Sequence, residues 1–102
     1  MSNMNELMRQ AARMRRKIEQ ITEEMKKKSW TAKVAGDRVT VTVTGERKVT
    51  QIVVDDEFWK TEERDIVLDS IAAAVNAASE MAEKEMETAV NAATGGIKIP
   101  GM

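Results

Sequence analysis

The chain has 102 residues, a formal net charge of −1, and no cysteine, histidine or tyrosine. Those absences remove disulfides, thiolate and imidazole metal ligands, the commonest general base and a phenolic acid. The length suits one domain, no apolar run is long enough to span a bilayer, and no signal-peptide pattern opens the sequence, so a soluble cytoplasmic protein without membrane contact is expected.

Aromatic residues make up only 3% of the chain, while there are 8 methionines. A core of Met, Ile, Val and Ala follows, and helix pairing or dimerisation commonly supplies the burial that so small a core lacks. The charge is unevenly spread. Residues 1–35 carry a net of +5, residues 36–54 a net of +1 and residues 55–102 a net of −7. A basic front and an acidic back point to contact with nucleic acid or membrane, or to a basic helix lying against an acidic one.

The first helix is predicted over residues 3–28. Met4, Leu7, Ala11, Met14, Ile18, Ile21 and Met25 are spaced alternately three and four apart, a heptad seam suited to shallow helix crossing. Ser2 or Asn3 is the expected cap, with Glu6 in the first turn and Lys26, Lys27 and Lys28 at the end, where cations suit the helix dipole. Another face carries Arg9, Arg13 and Arg16 in one stripe, flanked by Arg15 and Lys17. Charged helix residues are usually a solvated face, here helped by pairs such as Arg15 with Glu19. Five cations within nine residues, with no acid among them, resist that reading.

Three strands are predicted next. Residues 29–35 place Trp30, Ala32 and Val34 on one face, and Gly36-Asp37 forms a two-residue turn. Val39, Val41 and Val43 then alternate with Thr40, Thr42 and Thr44, a period of two in β-branched residues. After Gly45 the third strand, residues 49–54, sets Thr50, Ile52 and Val54 on one face and Val49, Gln51 and Val53 on the other. Apolar residues on both faces of that strand suggest a partner subunit, with Val49 and Val53 in or near the contact.

Phe58 and Trp59 are expected to close one end of the core. Thr61 is the expected cap of a second long helix, with Glu62 and Glu63 in its first turn and a seam at Leu68, Ile71, Val75, Ala78 and Ala82. That helix should stop at Gly95-Gly96. Residues 1–94 then form a single α+β domain (helix, three-stranded antiparallel meander, long helix), and residues 95–102 a flexible tail containing Gly and Pro.

The order and spacing of several pieces resemble the YbaB/EbfC family of nucleoid-associated DNA-binding proteins. The pieces are Leu7-Met8-Arg9-Gln10-Ala11 with Met14, Val39-x-Val41-x-Val43-x-Gly45, Val49-x-x-Ile52-x-Val54-Asp55, Leu68-Asp69, Ala73-Ala74-x-Asn76-Ala77-Ala78, and the tail Gly96-Ile97-x-Ile99-Pro100-Gly101-Met102. The resemblance implies a homodimer built through the sheets, with helices projecting like tweezer arms, that binds DNA in the bacterial nucleoid without catalysis. Two departures stand out: the family's first hairpin is usually longer and richer in glycine than Ala35-Gly36-Asp37, and Asn76-Ala77-Ala78 stands where Asn-Asp-Ala is frequent.

A homodimer contacting double-stranded DNA through phosphates is therefore expected. The contacts fall to Arg9, Arg13, Arg15, Arg16 and Lys17, with Lys27 and Lys28 as further candidates. No aromatic is placed in the stripe to stack on bases. Arg38, Arg47, Lys48 and Lys84 are the fallback surface. The competing class is a coiled-coil adaptor or holdase resembling a prefoldin-like subunit, with Met4, Met8, Met14 and Met25 as an adaptable client surface. No cofactor, metal or small-molecule substrate is expected; Asp55, Asp56, Glu57, Glu62 and Glu63 read as capping and solvated acids.

Overall fold

The computed structural model describes residues 2–95, and the expected tail beyond Gly95 lies outside them. The element order is α1 (Ser2–Lys26), β1 (Ser29–Val34), β2 (Val39–Thr44), β3 (Val49–Val54), α2 (Asp56–Thr61) and α3 (Arg64–Thr94). The α+β meander read from the sequence is what the chain forms, with strand order β1-β2-β3, all antiparallel. The molecule is long and thin, 72 × 19 × 17 Å.

Residues paired across neighbouring strands share a sheet face. The β1–β2 register sets Trp30, Ala32 and Val34 opposite Val43, Val41 and Val39. These three valines are fully buried. Helix α3 lies across β1 and β2, and its Val67, Ala74, Ala78 and Ala82 complete the core with Ala32 and Phe58. The alanines recur every fourth residue, so the helix presents a smooth stripe that approaches the sheet closely. Val67, one position before the expected Leu68, starts this stripe, and Leu68 is half exposed.

Several local expectations are corrected. Ser2 and Asn3 already lie inside α1, and Glu6 falls beyond the first turn, which holds no acid. The β1–β2 link is Ala35 to Arg38, not a two-residue turn, because the ladder ends at the Val34–Val39 pair. Ala35, Gly36 and Asp37 take φ of 55°, 64° and 66°, three consecutive left-handed residues. The Asp55 carboxylate accepts from Phe58 N–H at 3.3 Å and caps the short helix α2. Thr61 ends that helix, its hydroxyl donating to Glu57 O at 2.8 Å, and Glu63 stands at the N-cap of α3. Phe58 is buried as expected, but Trp59 is exposed, since α2 turns only one of its two rings inward. Helix α3 does stop at Gly95, whose φ of 65° closes the helix with its N–H on Asn91 O.

Strand β3 is the uncovered part of the sheet. Ile52 pairs with the fully buried Val41 yet is about half exposed, because α3 does not reach across to it. A register shift between Thr42 and Val43 sets Val49 opposite Val43 and Val53 opposite Thr40. The two valines expected on one face are thus separated by the bulge, one beside a core valine and the other beside a threonine.

The seam of α1 is only half covered. Ile18 and Met25 are buried and Met14 and Ile21 half-buried, while Met4, Leu7 and Met8 are more than 60% exposed. The reason is where α3 stops: Ala93, near its end, lines a groove with Gln10, Arg13, Met14 and Lys17. The first turns of α1 project past that point.

Candidate nucleic-acid interface

An uninterrupted helix of 25 residues fixes the relative positions of the basic residues. At about 100° per residue, Arg9, Arg13 and Arg16 fall on the side of α1 roughly opposite Leu7, Met14 and Ile18. Arg9 and Arg16 therefore point away from the packing face, while Arg13, like Lys17, borders the groove that Met14 forms with Ala93 of α3. Arg15 and Lys17 project on opposite flanks of it, so the five cations wrap more than half of the helix circumference. All five are exposed.

The stripe is not neutralised by the acidic half of the chain. Among the described residues no ion pair joins α1 to α3, although Glu80, Glu83, Glu85 and Glu87 are all exposed on α3. Among the described residues Arg9 and Arg13 meet only Glu6 of their own helix, at 4.0 and 3.8 Å. Arg15, Arg16 and Lys17 have no ion-pair partner among the described residues, and the expected pairing of Arg15 with Glu19 does not form.

Two of the alternative cations are in ion pairs. Arg47 pairs with Glu83 at 3.7 Å and Lys48 with Glu46 at 3.9 Å. The Arg38 guanidinium stands 5.9 Å from the centre of the Phe58 ring. Lys27 and Lys28 are exposed beside a shallow groove lined by Met25 and Trp30 and, on α3, Glu85 and Ala89. They sit roughly 27 Å along the helix axis from Arg9. The structure thus groups Arg9, Arg13, Arg15, Arg16 and Lys17 within about two helical turns and leaves Lys27 and Lys28 apart. Among the described residues no group of carboxylates is arranged to hold a metal ion. Nor is any helix among them long and apolar enough to cross a membrane.

Two features of this surface escaped the sequence. The carboxylate of Glu6 reaches both Arg9, at the usual i, i+3 spacing, and Arg13, two turns along. The exposure of Ile52 depends on which strands α3 covers and that of Trp59 on how α2 is turned, and no local pattern records either.

Residues 1–97 match the YbaB/EbfC DNA-binding family. A nucleoid-associated protein of Clostridium acetobutylicum is 34% identical over 100 residues, covering 98% of this chain and 89% of the relative. Another from Lachnoclostridium phytofermentans is 39% identical over 95 residues, covering 93% and 80% of the two chains. A third, from Rickettsia canadensis, is 30% identical over 100 residues, covering 98% and 94%. The crystal structure of an uncharacterized protein of Helicobacter pylori has the same fold, with a TM-score of 0.67 over 80% of this chain and 86% of that one at 21% identity. Sequence match, fold and exposed basic helix converge: the chain belongs to the YbaB/EbfC DNA-binding family.

Proposed function

We propose that the protein works as a homodimer that binds duplex DNA in the nucleoid, chiefly through phosphates, with Arg9, Arg13, Arg15, Arg16 and Lys17 as the principal contacts. The observation that carries this reading is that, among the described residues, no acid of α3 pairs with the basic stripe of α1, where Arg9 and Arg13 meet Glu6 of their own helix and Arg15, Arg16 and Lys17 have no ion-pair partner. Its arginines are exposed on a helix whose first turns project past the end of α3. Five cations per subunit on a curved surface suit a polyanion whose charges recur along a groove wall. Lys27 and Lys28 serve as a secondary contact, reached only by a duplex that follows α1 along its length. In this role the protein binds and does not catalyse.

The dimer contact is assigned to β3. It is an edge strand with an unpaired ladder side, and Val49, Ile52 and Val53 are each nearly half exposed on it. Exposed apolar edges of this kind are normally covered. Val49 and Val53 meet the partner from different faces, since the bulge turns them apart. The test is a titration on duplex DNA at several salt concentrations, with sedimentation of the free protein. Binding that falls steeply with salt, by a protein of twice the chain mass, is expected. Salt-insensitive binding or a monomer would overturn the corresponding half of the proposal.

The exposed strip of Met4, Leu7 and Met8 favours a second reading, an adaptor or holdase that captures apolar segments of other proteins. Suppression of aggregation of a denatured test protein, lost on Leu7→Ser, would move that reading ahead if DNA binding were absent.

A further inference from the structure

Glu6 is the only carboxylate in residues 1–18, a stretch with five cations. Its placement is not explained by the helix dipole. The first turn of α1 holds no acid, and the dipole effect has largely decayed by the second turn. Its two oxygens go to two different guanidiniums: Oε2 lies 4.0 Å from Arg9 Nη1 and Oε1 lies 3.8 Å from Arg13 Nη2. Positions 6, 9 and 13 occupy successive turns of one face, so a single carboxylate bridges the upper end of the stripe.

We propose that Glu6 holds, in the free protein, the anion position between Arg9 and Arg13 that a DNA phosphate takes in the complex. This rests on the phosphate-binding reading of the stripe and names how that site is regulated. Carboxylate and phosphate present the same chemistry to a guanidinium fork, an oxyanion with several acceptor oxygens. All three side chains are more than half exposed, at 53%, 73% and 64% for Glu6, Arg9 and Arg13. A phosphate can therefore reach the same position, and a pair so open to water exchanges readily. Arg15, Arg16 and Lys17 carry no such stand-in among the described residues. On binding, Glu6 is displaced and stays beside the incoming phosphate, which it repels. It thereby sets the affinity below what the five cations alone would give and keeps the complex exchangeable.

A double-mutant cycle on the full chain tests this, reading the dissociation constant for one duplex at low salt. Glutamine is a good helix former with the same shape as glutamate, so α1 persists in Glu6→Gln. That variant should bind about three- to tenfold more tightly, as the loss of exposed charge pairs allows. In an Arg9→Gln, Arg13→Gln background the same change should alter binding by less than about twofold, since the pair it acts through is gone. An equal gain in both backgrounds would mean that Glu6 acts only through bulk charge, and the proposal falls. No gain or weaker binding in Glu6→Gln alone, while the arginine pair is still needed for binding, would also overturn it. If the arginine double variant binds as tightly as the native protein, the phosphate site itself is misplaced, a failure distinct from that of Glu6.

Discussion

Gly45 is seated against the backbone of Met25. A Cβ at Gly45 would overlap the Met25 carbonyl oxygen and lie 3.0 Å from Lys26 Cα, and the Gly45 N–H donates to Lys28 O at 3.1 Å. The β2–β3 connection is thus fastened to the last turn of α1. This contact sets the angle at which α1 leaves the sheet, and so where the basic stripe points.

Gly45→Ala should therefore destabilise the fold by about 1–3 kcal/mol, the usual cost of forcing an extra carbon into a packed site. The obstacle is backbone, so no rotamer change relieves it. Urea unfolding measures the loss, and a change below about 0.5 kcal/mol would mean that α1 shifts freely on the sheet. The glycine that ends Val39-x-Val41-x-Val43-x-Gly45 is explained by this approach; it is absent from the positive-φ residues.

The seam of α1 should divide in two. Ile18 is 7% exposed and Leu7 61%. Ile18→Ala should cost about 2–4 kcal/mol, and Leu7→Ala less than about 0.5 kcal/mol in a monomer. Chemical unfolding of both variants checks this. A large loss at Leu7 would indicate that the projecting end of α1 is covered in the assembled protein.

What the sequence disclosed follows from range. The alternation over residues 39–44 is a local property of one strand, and valine burial on every second residue matches it. The heptad spacing of α1 is equally local, but how much of the seam is covered depends on where α3 stops, tens of residues away. The bulge at Thr42/Val43 was invisible because Thr50, whose hydroxyl donates to Thr42 O at 3.3 Å, breaks no pattern of hydrophobicity. The cations of the stripe were legible from spacing alone. That the acids of α3 do not reach them became visible only with both helices in place.

The β1–β2 link should be improvable. Ala35 holds φ 55°, a conformation costing an alanine about 1–2 kcal/mol that glycine adopts without penalty. Against the extra entropy glycine loses on folding, Ala35→Gly should leave a net gain of up to about 1 kcal/mol. A higher unfolding midpoint with an unchanged denaturant slope is the expected result; a lower midpoint would mean that the alanine makes contacts outweighing its strain.

Replacing Val49 and Val53 with lysine should give monomers by sedimentation while the fold survives, because both are exposed within the single chain. A folded dimer of native stability would move the contact elsewhere, with the exposed Ile66 and Leu68 of α3 next to be tested.

The decisive substitution is Arg9, Arg13 and Arg16 to glutamine together. All three are exposed, Arg13 at the rim of the groove beside Ala93, so helix content and oligomeric state should be unchanged. Duplex binding should weaken strongly. Each phosphate contact contributes about 0.9 to the slope of log affinity against log salt, through release of condensed counterions. A dimer engaging both copies loses up to about six contacts, a slope change near five; engagement of one subunit alone halves it. The loss should be similar on unrelated sequences, since phosphates carry no sequence information. A loss confined to some sequences would mean that one of these arginines reads a base edge, as arginine does at guanine. Unchanged affinity and slope in the folded variant would show the stripe to be a solvated face. The search would then move to Lys27 and Lys28, and to Arg38, Arg47, Lys48 and Lys84. Of these, Arg47 would first have to leave its pair with Glu83.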